Sequence, residues 1–321
     1  MSESAKQRPL MIVNPRSSGG KTGRIFDQMR APIERAIGPF DTIFTERGRH
    51  AVEIAREAAL LGAPLMIVVG GDGSIHEVVN GLMEARDRGA KPTRLGIIGQ
   101  GTGGDFRRTL GMEHRLDRYC AAIAGGKTRR VDVGRISYAG HDGKPGHAFF
   151  INILSVGLGG LVDRLVAEAS RGLGGTVAYF SASLRGLVQS ELGVLGCKIT
   201  FKGETREEEI TTRSMAICNG RYFGSGMMVA PMAALDDGVF EVVDLGKAPK
   251  ARFAFVSSTR IYSGEHIGHP DVRHFPCDKI EIELKNKAIA DRFLLDVDGE
   301  QLGKLPLTIE LMPGALEVLV P

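Results

Sequence analysis

Leu65-Met66-Ile67-Val68-Val69-Gly70-Gly71-Asp72-Gly73-Ser74-Ile75-His76-Glu77-Val78-Val79-Asn80-Gly81-Leu82 is the stretch on which the fold turns. Its first five residues are an uninterrupted apolar run, the pattern of a strand buried on both faces. Glycines at 70, 71 and 73 break the run, and Ile75, Val78, Val79 and Leu82 then recur at i, i+3, i+4 and i+7, the period of a helix lying on a sheet. Ser74 and Glu77 have the Ser-x-x-Glu spacing of a capping box, which predicts a helix start just after the glycines. A glycine turn between a buried strand and a helix leaves backbone N–H groups and the positive helix end facing an anion.

The same grammar recurs on either side. Leu10–Val13 and Leu95–Ile98 are further buried strands. The first leads into Asn14-Pro15-Arg16-Ser17-Ser18-Gly19-Gly20 and a helical stripe at Ile25, Met29 and Ile33. The other leads into Gly99-Gln100-Gly101-Thr102-Gly103-Gly104-Asp105 and a further helix. Ala51, Ile54, Ala55, Ala58 and Leu61 form another helical stripe, closed by Gly62. Strand–helix alternation with apolar strands predicts a parallel α/β sheet covered on both faces. The glycine loops should then converge at the carboxyl edge of that sheet, where open α/β sheets bind ligands. Two familiar phosphate motifs are absent. Gly20-Lys21-Thr22 resembles the end of a P-loop, but the required first glycine is Pro15, and neither glycine loop spells G-x-G-x-x-G opening a first βαβ unit.

After about Val131 the texture changes to alternating segments at 198–201, 215–218, 239–243, 279–284, 293–297, 307–311 and 316–320, the pattern of antiparallel strands. Helical patterns interrupt at 161–169, 177–188 and 252–262, and the charged run 202–209 reads as a hairpin tip. His141–Gly146 reads as an exposed loop near the change of texture. The expected division is an α/β domain over 1–135 with a returning tail at 305–321, and a β domain over 136–304.

Composition narrows the function classes. Glycine is 43 of 321 residues, about 13%, against a usual share of about 7%, and it clusters in loops rather than in a G-X-Y repeat. Residues 1–9 are polar with no apolar segment behind them, and the longest apolar stretch, 148–162, falls short of the ~20 residues of a membrane span. Cys120, Cys197, Cys218 and Cys277 are scattered, which fits reduced thiols in a cytoplasmic protein. Net charge is only +3, yet residues 86–135 hold twelve Lys/Arg against five Asp/Glu. That excess suits phosphate groups or an anionic membrane face, with a solvated surface as the plain alternative. Aromatics are 6% and Trp is absent, which with no nucleic-acid motif argues against nucleic acid as a partner.

Gly70-Gly71-Asp72-Gly73-Ser74-x-x-Glu77-Val78-Val79-Asn80-Gly81 resembles the nucleotide motif of the diacylglycerol kinase catalytic-domain family, shared by bacterial lipid kinases, sphingosine kinases and ceramide kinases. Asn14-Pro15-x-Ser17, Thr45 with His50-Ala51, and Leu95–Ile98 with Gly101-Thr102-Gly103-x-Asp105-Phe106 are similar to its other N-terminal motifs. Asn219-Gly220, Gly224-x-Gly226, Pro231, Asp237-Gly238 and Asp298-Gly299-Glu300 continue the resemblance in order. It implies an ATP-binding α/β domain like those of phosphofructokinase and NAD kinase, then an antiparallel β-sandwich carrying a lipid site. The chain departs from the family pattern at Ser74, His76, Gln100 and Gly104, where Thr, Asn, Pro and Asn are usual.

The resemblance implies an ATP- and Mg²⁺-dependent lipid kinase acting on diacylglycerol, ceramide or a sphingoid base. Asn14, Thr45, Gly71, Asp72, Gly73, Ser74, His76, Glu77, Gly101 and Thr102 would hold ATP. Glu300 would be the general base, with Asp72 as rival. Asp237, with carbonyls of Ala234 and Val239, would hold a structural Mg²⁺, and Asp236 competes for that role. His266-x-x-His269-x₄-His274 with Cys277 invites zinc, but Pro270 and the irregular surroundings disfavour it. Lys247, Lys250 and Arg252 suggest a membrane-facing patch, with ordinary solvation as the alternative. Peripheral association with the inner membrane face follows from a lipid substrate, and relatives in the resembled family are often homodimers. Rival readings are an NAD-kinase-like soluble enzyme and a catalytically inactive lipid-binding regulator.

Overall fold

The computed structural model describes residues 8–101, 103–168 and 175–321. The chain forms two compact units, Met1–Val133 with Pro313–Pro321, and Gly134–Met312.

In the first unit β1 (Leu10–Val13), α1 (Ser17–Ile37), β2 (Asp41–Phe44), α2 (His50–Leu60), β3 (Leu65–Gly70), α3 (Asp72–Asp87), β4 (Arg94–Gly99), α4 (Asp105–Thr109) and α5 (Leu116–Gly125) alternate, followed by β5 (Thr128–Ala139). The strands run in the order β2-β1-β3-β4, all parallel, and Val318 of the tail adds in parallel at Leu95 of β4. β3 is buried along its whole length and β4 at all but its first residue, because apolar side chains point to both helix-covered faces. The largely exposed β2 lies at the edge. The chain leaves β1 in one direction to β2 and returns on its other side to β3, so the order reverses between β1 and β3. Such a switch point opens a crevice at the carboxyl ends of the strands. Helices α2 and α3 cross closely at Gly81, where an added Cβ would lie 2.8 Å from the Ala55 Cβ and strike the Val52 carbonyl.

The local basic excess has a partly structural use. Arg86 donates to the Ala315 carbonyl at 2.6 Å, Lys127 to that of Pro321 at 2.9 Å, and Arg130 pairs with Glu317 at 3.8 Å. Three of the cations therefore hold the tail.

The second unit is antiparallel. It takes up the end of β5 and continues through β6 (Pro145–Phe150), β7 (Ile153–Gly157), α6 (Leu158–Glu168), α7 (Gly175–Gln189), β8 (Gly193–Phe201), β9 (Glu204–Thr212) and β10 (Ser214–Cys218). The short pair β11 (Tyr222–Phe223) and β12 (Met227–Met228) precedes β13 (Phe240–Asp244) and α8 (Lys250–Thr259). β14 (Arg273–Cys277), β15 (Lys279–Leu284), β16 (Leu294–Val297) and β17 (Lys304–Leu319) complete it. One run of strands is β14-β13-β10-β7-β16, and another is β9-β8-β15-β17. Alternation along β10 sends Met215 and Ile217 into the main core and Ala216 and Cys218 into a second apolar layer, so this strand is buried on both faces.

The change of unit falls inside β5 at Val133–Gly134, and the exposed loop at 141–144 is the turn of the β5–β6 hairpin within the second unit. Two local expectations change. The tip predicted over 202–209 is only Lys202-Gly203. Both residues have positive φ, 50° and 83°, which matches the twist of a two-residue hairpin, and the charges at 204–209 lie along strand β9. Leu61 is 81% exposed because α2 ends at Leu60 and Gly62 turns left-handed at φ 85°.

Candidate active site

Three backbone hydrogen bonds extend the parallel sheet past its strand ends and gather the expected residues on one edge. Thr45 N donates to Val13 O at 2.9 Å, Asn14 N to Val69 O at 3.0 Å, and Gln100 N to Gly70 O at 2.7 Å. The two glycine loops consequently meet. A Cβ built on Gly101 would lie 2.6 Å from the Gly71 Cα, and one built on Gly71 would lie 3.2 Å from the Gly101 Cα. The floor between the loops is bare backbone. Asn14 Nδ2 donates to Ser74 Oγ at 2.9 Å, tying the loop after β1 to the start of α3.

Helix α3 begins at Asp72 with Gly71 extended before it, so the free N–H groups of its first turn open onto this edge. Asp72 itself bridges the loops. Its Oδ2 accepts from Gly104 N at 2.7 Å and Asp105 N at 3.3 Å, capping the short α4, while Oδ1 is buried with no hydrogen-bond partner. A carboxylate oxygen left so is a donor suited to a hard cation or to a ligand hydroxyl.

The capping-box expectation is corrected. Helix α3 starts two residues before Ser74 and has no side-chain cap, because the Ser74 hydroxyl receives Asn14 and the Glu77 carboxylate turns to another helix. Glu77 Oε1 accepts Arg49 N at 2.8 Å and Oε2 accepts Ala51 N at 3.1 Å, so Glu77 caps α2 from outside. His76 is 4% exposed, and its carbonyl receives Asn80 Nδ2 at 2.9 Å. Asn14, Thr45, Gly71, Asp72, Gly73, Ser74 and Gly101 therefore share the sheet edge. His76 and Glu77 lie one turn further along α3, and Thr102 lies outside the described residues.

Behind the second loop, burial pushes the Tyr119 phenol up to about 12, and its hydroxyl meets His114 Nδ1 at 2.9 Å. His114 is held below its ordinary value, first by burial and then by the cations Arg107, Arg108 and Lys21. Lys21, Arg107 and Arg108 thus stand near this loop, with Arg108 paired to Asp105 at 2.6 Å.

In the second unit, Glu300 follows the turn between β16 and β17. Asp298 and Gly299, at φ 53° and 89°, form that turn, and Val297 and Glu300 exchange backbone hydrogen bonds at 2.9 and 3.0 Å. Glu300 is exposed. The Asp298 carboxylate accepts three backbone N–H groups, from Ile151 and Asn152 at 2.9 Å each and Ile153 at 3.1 Å. Asp296 Oδ1 accepts Gly299 N at 2.8 Å. Asn152, 6% exposed, donates to Tyr222 O at 2.8 Å, and its buried Oδ1 has no hydrogen-bond partner. The grip of Asp296 and Asp298 on the acid turn was not read from sequence; the signal available was a lone Asn inside the apolar run 149–154.

Asp237 is exposed and its Oδ1 accepts Val239 N at 3.1 Å, a local turn. The zinc pattern disperses. His266 Nε2 is 3.0 Å from the Val229 carbonyl, His269 Nδ1 accepts Asp271 N at 3.2 Å, and His274 lies 4.0 Å from Glu241. Among the described residues no group of three or more His, Cys, Asp or Glu is gathered for a metal. All four cysteines are free and buried, and burial pushes the Cys197 and Cys277 thiols up to about 12. No described helix is long and apolar enough to cross a membrane.

Residues 8–136 match the diacylglycerol kinase catalytic domain, and residues 152–320 match the YegS C-terminal NAD kinase beta sandwich-like domain. A protein of Bacillus subtilis (strain 168) named diacylglycerol kinase is 30% identical over 94% of this chain and 92% of its own. The crystal structure of a diacylglycerol kinase from Bacillus anthracis str. Sterne superposes with a TM-score of 0.67 at 23% identity, covering 99% of this chain and 98% of that one. Yeast NADH kinase shares the fold at a TM-score of 0.50 and 11% identity, over 98% of this chain and 83% of its own. With both of its halves matched in order, this chain belongs to the diacylglycerol kinase catalytic-domain family.

Proposed function

We propose that the protein transfers the γ-phosphate of ATP to a hydroxyl of a membrane lipid, with diacylglycerol, ceramide or a sphingoid base as acceptor. The observation that carries this reading is the glycine floor formed by Gly71 and Gly101 beside the buried, unpartnered Asp72 Oδ1. Near-full-length similarity to proteins named diacylglycerol kinase supports it and puts diacylglycerol first.

The α3 N-terminus and the bare backbone floor receive phosphate oxygens, and Asn14 and Ser74 hold the loops in register. Lys21 and Arg107 supply positive charge near the second loop, where Arg108 is paired with Asp105. Asp72 suits Mg²⁺ through Oδ1, and the metal when bound supplies charge against the oxygens of the phosphoryl group. Glu300 accepts the proton of the lipid hydroxyl. Asp298 and Asp296 hold its turn rigid through four backbone N–H groups. A structural Mg²⁺ at Asp237 and the Ala234 and Val239 carbonyls, peripheral docking at the anionic inner membrane face and homodimer formation belong to the same reading.

The family match to an NAD kinase-like sandwich supports one competing acceptor, NAD. Purified protein is incubated with labelled ATP, Mg²⁺ and a panel of diacylglycerol, ceramide, sphingosine and NAD, with Glu300→Ala alongside. Label on a lipid, lost in Glu300→Ala, is expected. Label on NAD alone supports the competing reading. No label on any acceptor would favour an inactive lipid-binding regulator. Full activity in Glu300→Ala removes the proposed base.

A further inference from the structure

We infer that the corner where the end of α7 meets the start of α8 is a docking surface for an anionic lipid bilayer. The inference rests on the reading above, that the acceptor is a membrane lipid. Helix α7 has two unlike faces. Ala182, Gly186 and Ser190, four residues apart, are buried, and a Cβ on Gly186 would lie 2.8 Å from Val162 of α6. Leu184 and Val188 are offset by half a turn, so they point the other way and are 58% and 66% exposed. Two large apolar side chains one turn apart thus stand on the outer face, with exposed Arg185 beside Leu184.

The start of α8 completes the patch with cations. Exposed Lys250 reaches across to donate from Nζ to the Val188 carbonyl, and Lys247 is exposed three residues earlier. The corner is rigidly built. Arg213, 5% exposed, donates to the Ser190 carbonyl at 3.3 Å, to Ser190 Oγ at 3.0 Å and to the Ala248 carbonyl at 3.3 Å, and its guanidinium lies 5.7 Å from the centre of the Phe253 ring. That one side chain fixes the two helix ends side by side.

Charge selects the occupant. Residues 175–190 and 247–263 contain no Asp or Glu and five Lys or Arg. Of these, Arg252 is paired with Asp271 at 2.8 Å. Apolar side chains standing among cations, over segments free of acids, match the boundary between acyl chains and anionic headgroups.

The test is co-sedimentation of the full chain with phosphatidylcholine vesicles, with and without phosphatidylglycerol. Wild type is expected to bind the anionic vesicles and to release as salt rises. Each lysine near the surface is worth about five-fold in partitioning, so Lys247→Glu with Lys250→Glu weakens binding at least ~25-fold. Leu184→Gln with Val188→Gln weakens it ~10-fold or more. Leu61→Gln, at an 81% exposed leucine of the other unit, serves as control and leaves binding unchanged. Activity toward a short-chain, monomeric diacylglycerol stays at wild-type level in the patch variants, which shows that they fold. Wild-type vesicle binding by both patch variants overturns the docking surface, as does an equal loss in Leu61→Gln. A change in oligomeric state by light scattering, with vesicle binding intact, overturns it in favour of a second copy. Docking lost in the patch variants, with no lipid labelled by wild type, would leave the surface standing and overturn the kinase reading alone.

Discussion

Gly101→Ala is the sharpest probe of the proposed nucleotide edge. The new Cβ would lie 2.6 Å from the Gly71 Cα, whereas ordinary contact begins at 3.4 Å. The obstacle is backbone held by the Gln100–Gly70 hydrogen bond of 2.7 Å, so no side chain can rotate away. The loops must part by roughly 1 Å, which is enough to misplace a reacting phosphate and lower turnover ~100-fold. The strain in the fold itself costs about 1–3 kcal/mol, or a few degrees in Tm. Gly125→Ala, whose Cβ meets nothing within 4 Å, is the matched control. ATP affinity is measured by titration calorimetry and kcat on the best lipid of the panel, with Tm recorded for each variant. The expected pattern is a steep fall in ATP affinity and kcat for Gly101→Ala and no change for Gly125→Ala. Wild-type ATP affinity in a folded Gly101→Ala protein refutes the idea that the bare floor receives the nucleotide.

Three further perturbations separate binding roles from structural ones. Glu77→Gln weakens the outside cap on α2 and lowers stability by about 1 kcal/mol, while KM for ATP stays near wild type; a large rise in KM with unchanged Tm would instead assign Glu77 to the nucleotide. Asp298→Asn loses charge-assisted acceptance of three backbone N–H groups, lowering stability by about 2 kcal/mol and lowering kcat more than KM as the Glu300 turn loosens; an unaltered kcat shows that the turn needs no such grip. His266 is 0% exposed, and burial, opposed by its contact with the Val229 carbonyl, holds its folded pKa below the ordinary 6.5. Because the unfolded chain then binds the proton more readily, stability is full above ~6.5 and falls as pH drops through that value. The Tm difference between about pH 7.5 and about pH 5.5 should therefore shrink in His266→Asn; an unchanged difference removes His266 from the pH response.

What the sequence revealed was whatever chain-local pattern controls. An apolar run followed by glycines located β3 and β4 and their carboxyl-end loops, and alternation located the antiparallel half. Convergence of the loops followed from the handedness and order of βαβ units, which are general rules. The misses share a different cause. Ser74 and Glu77 have local capping spacing, but Asn14, 60 residues away, and the α2 N-terminus, at Arg49 and Ala51, compete for the same groups and win. The Asp298 grip joins residues about 146 apart, which no spacing rule encodes. Gly81 reads as a poor helix former until the crossing of α2 over α3 shows why a Cβ is excluded.

The tail has a consequence for the order in which the protein is made. Pro313–Pro321 belongs to the first unit, yet it is synthesised about 180 residues after Val133. Until then β4 presents a bare edge of unpaired N–H and C=O groups at the flank where Val318 will later pair with Leu95. A nascent chain arrested before 313 therefore carries a nearly complete first unit with a sticky flank, although the whole of the later unit has already been synthesised. The unit begun first is the one finished last. Stalled or clipped chains of this protein should be sticky in proportion to how much of residues 313–321 they lack, and a synthetic peptide of that sequence should restore their solubility.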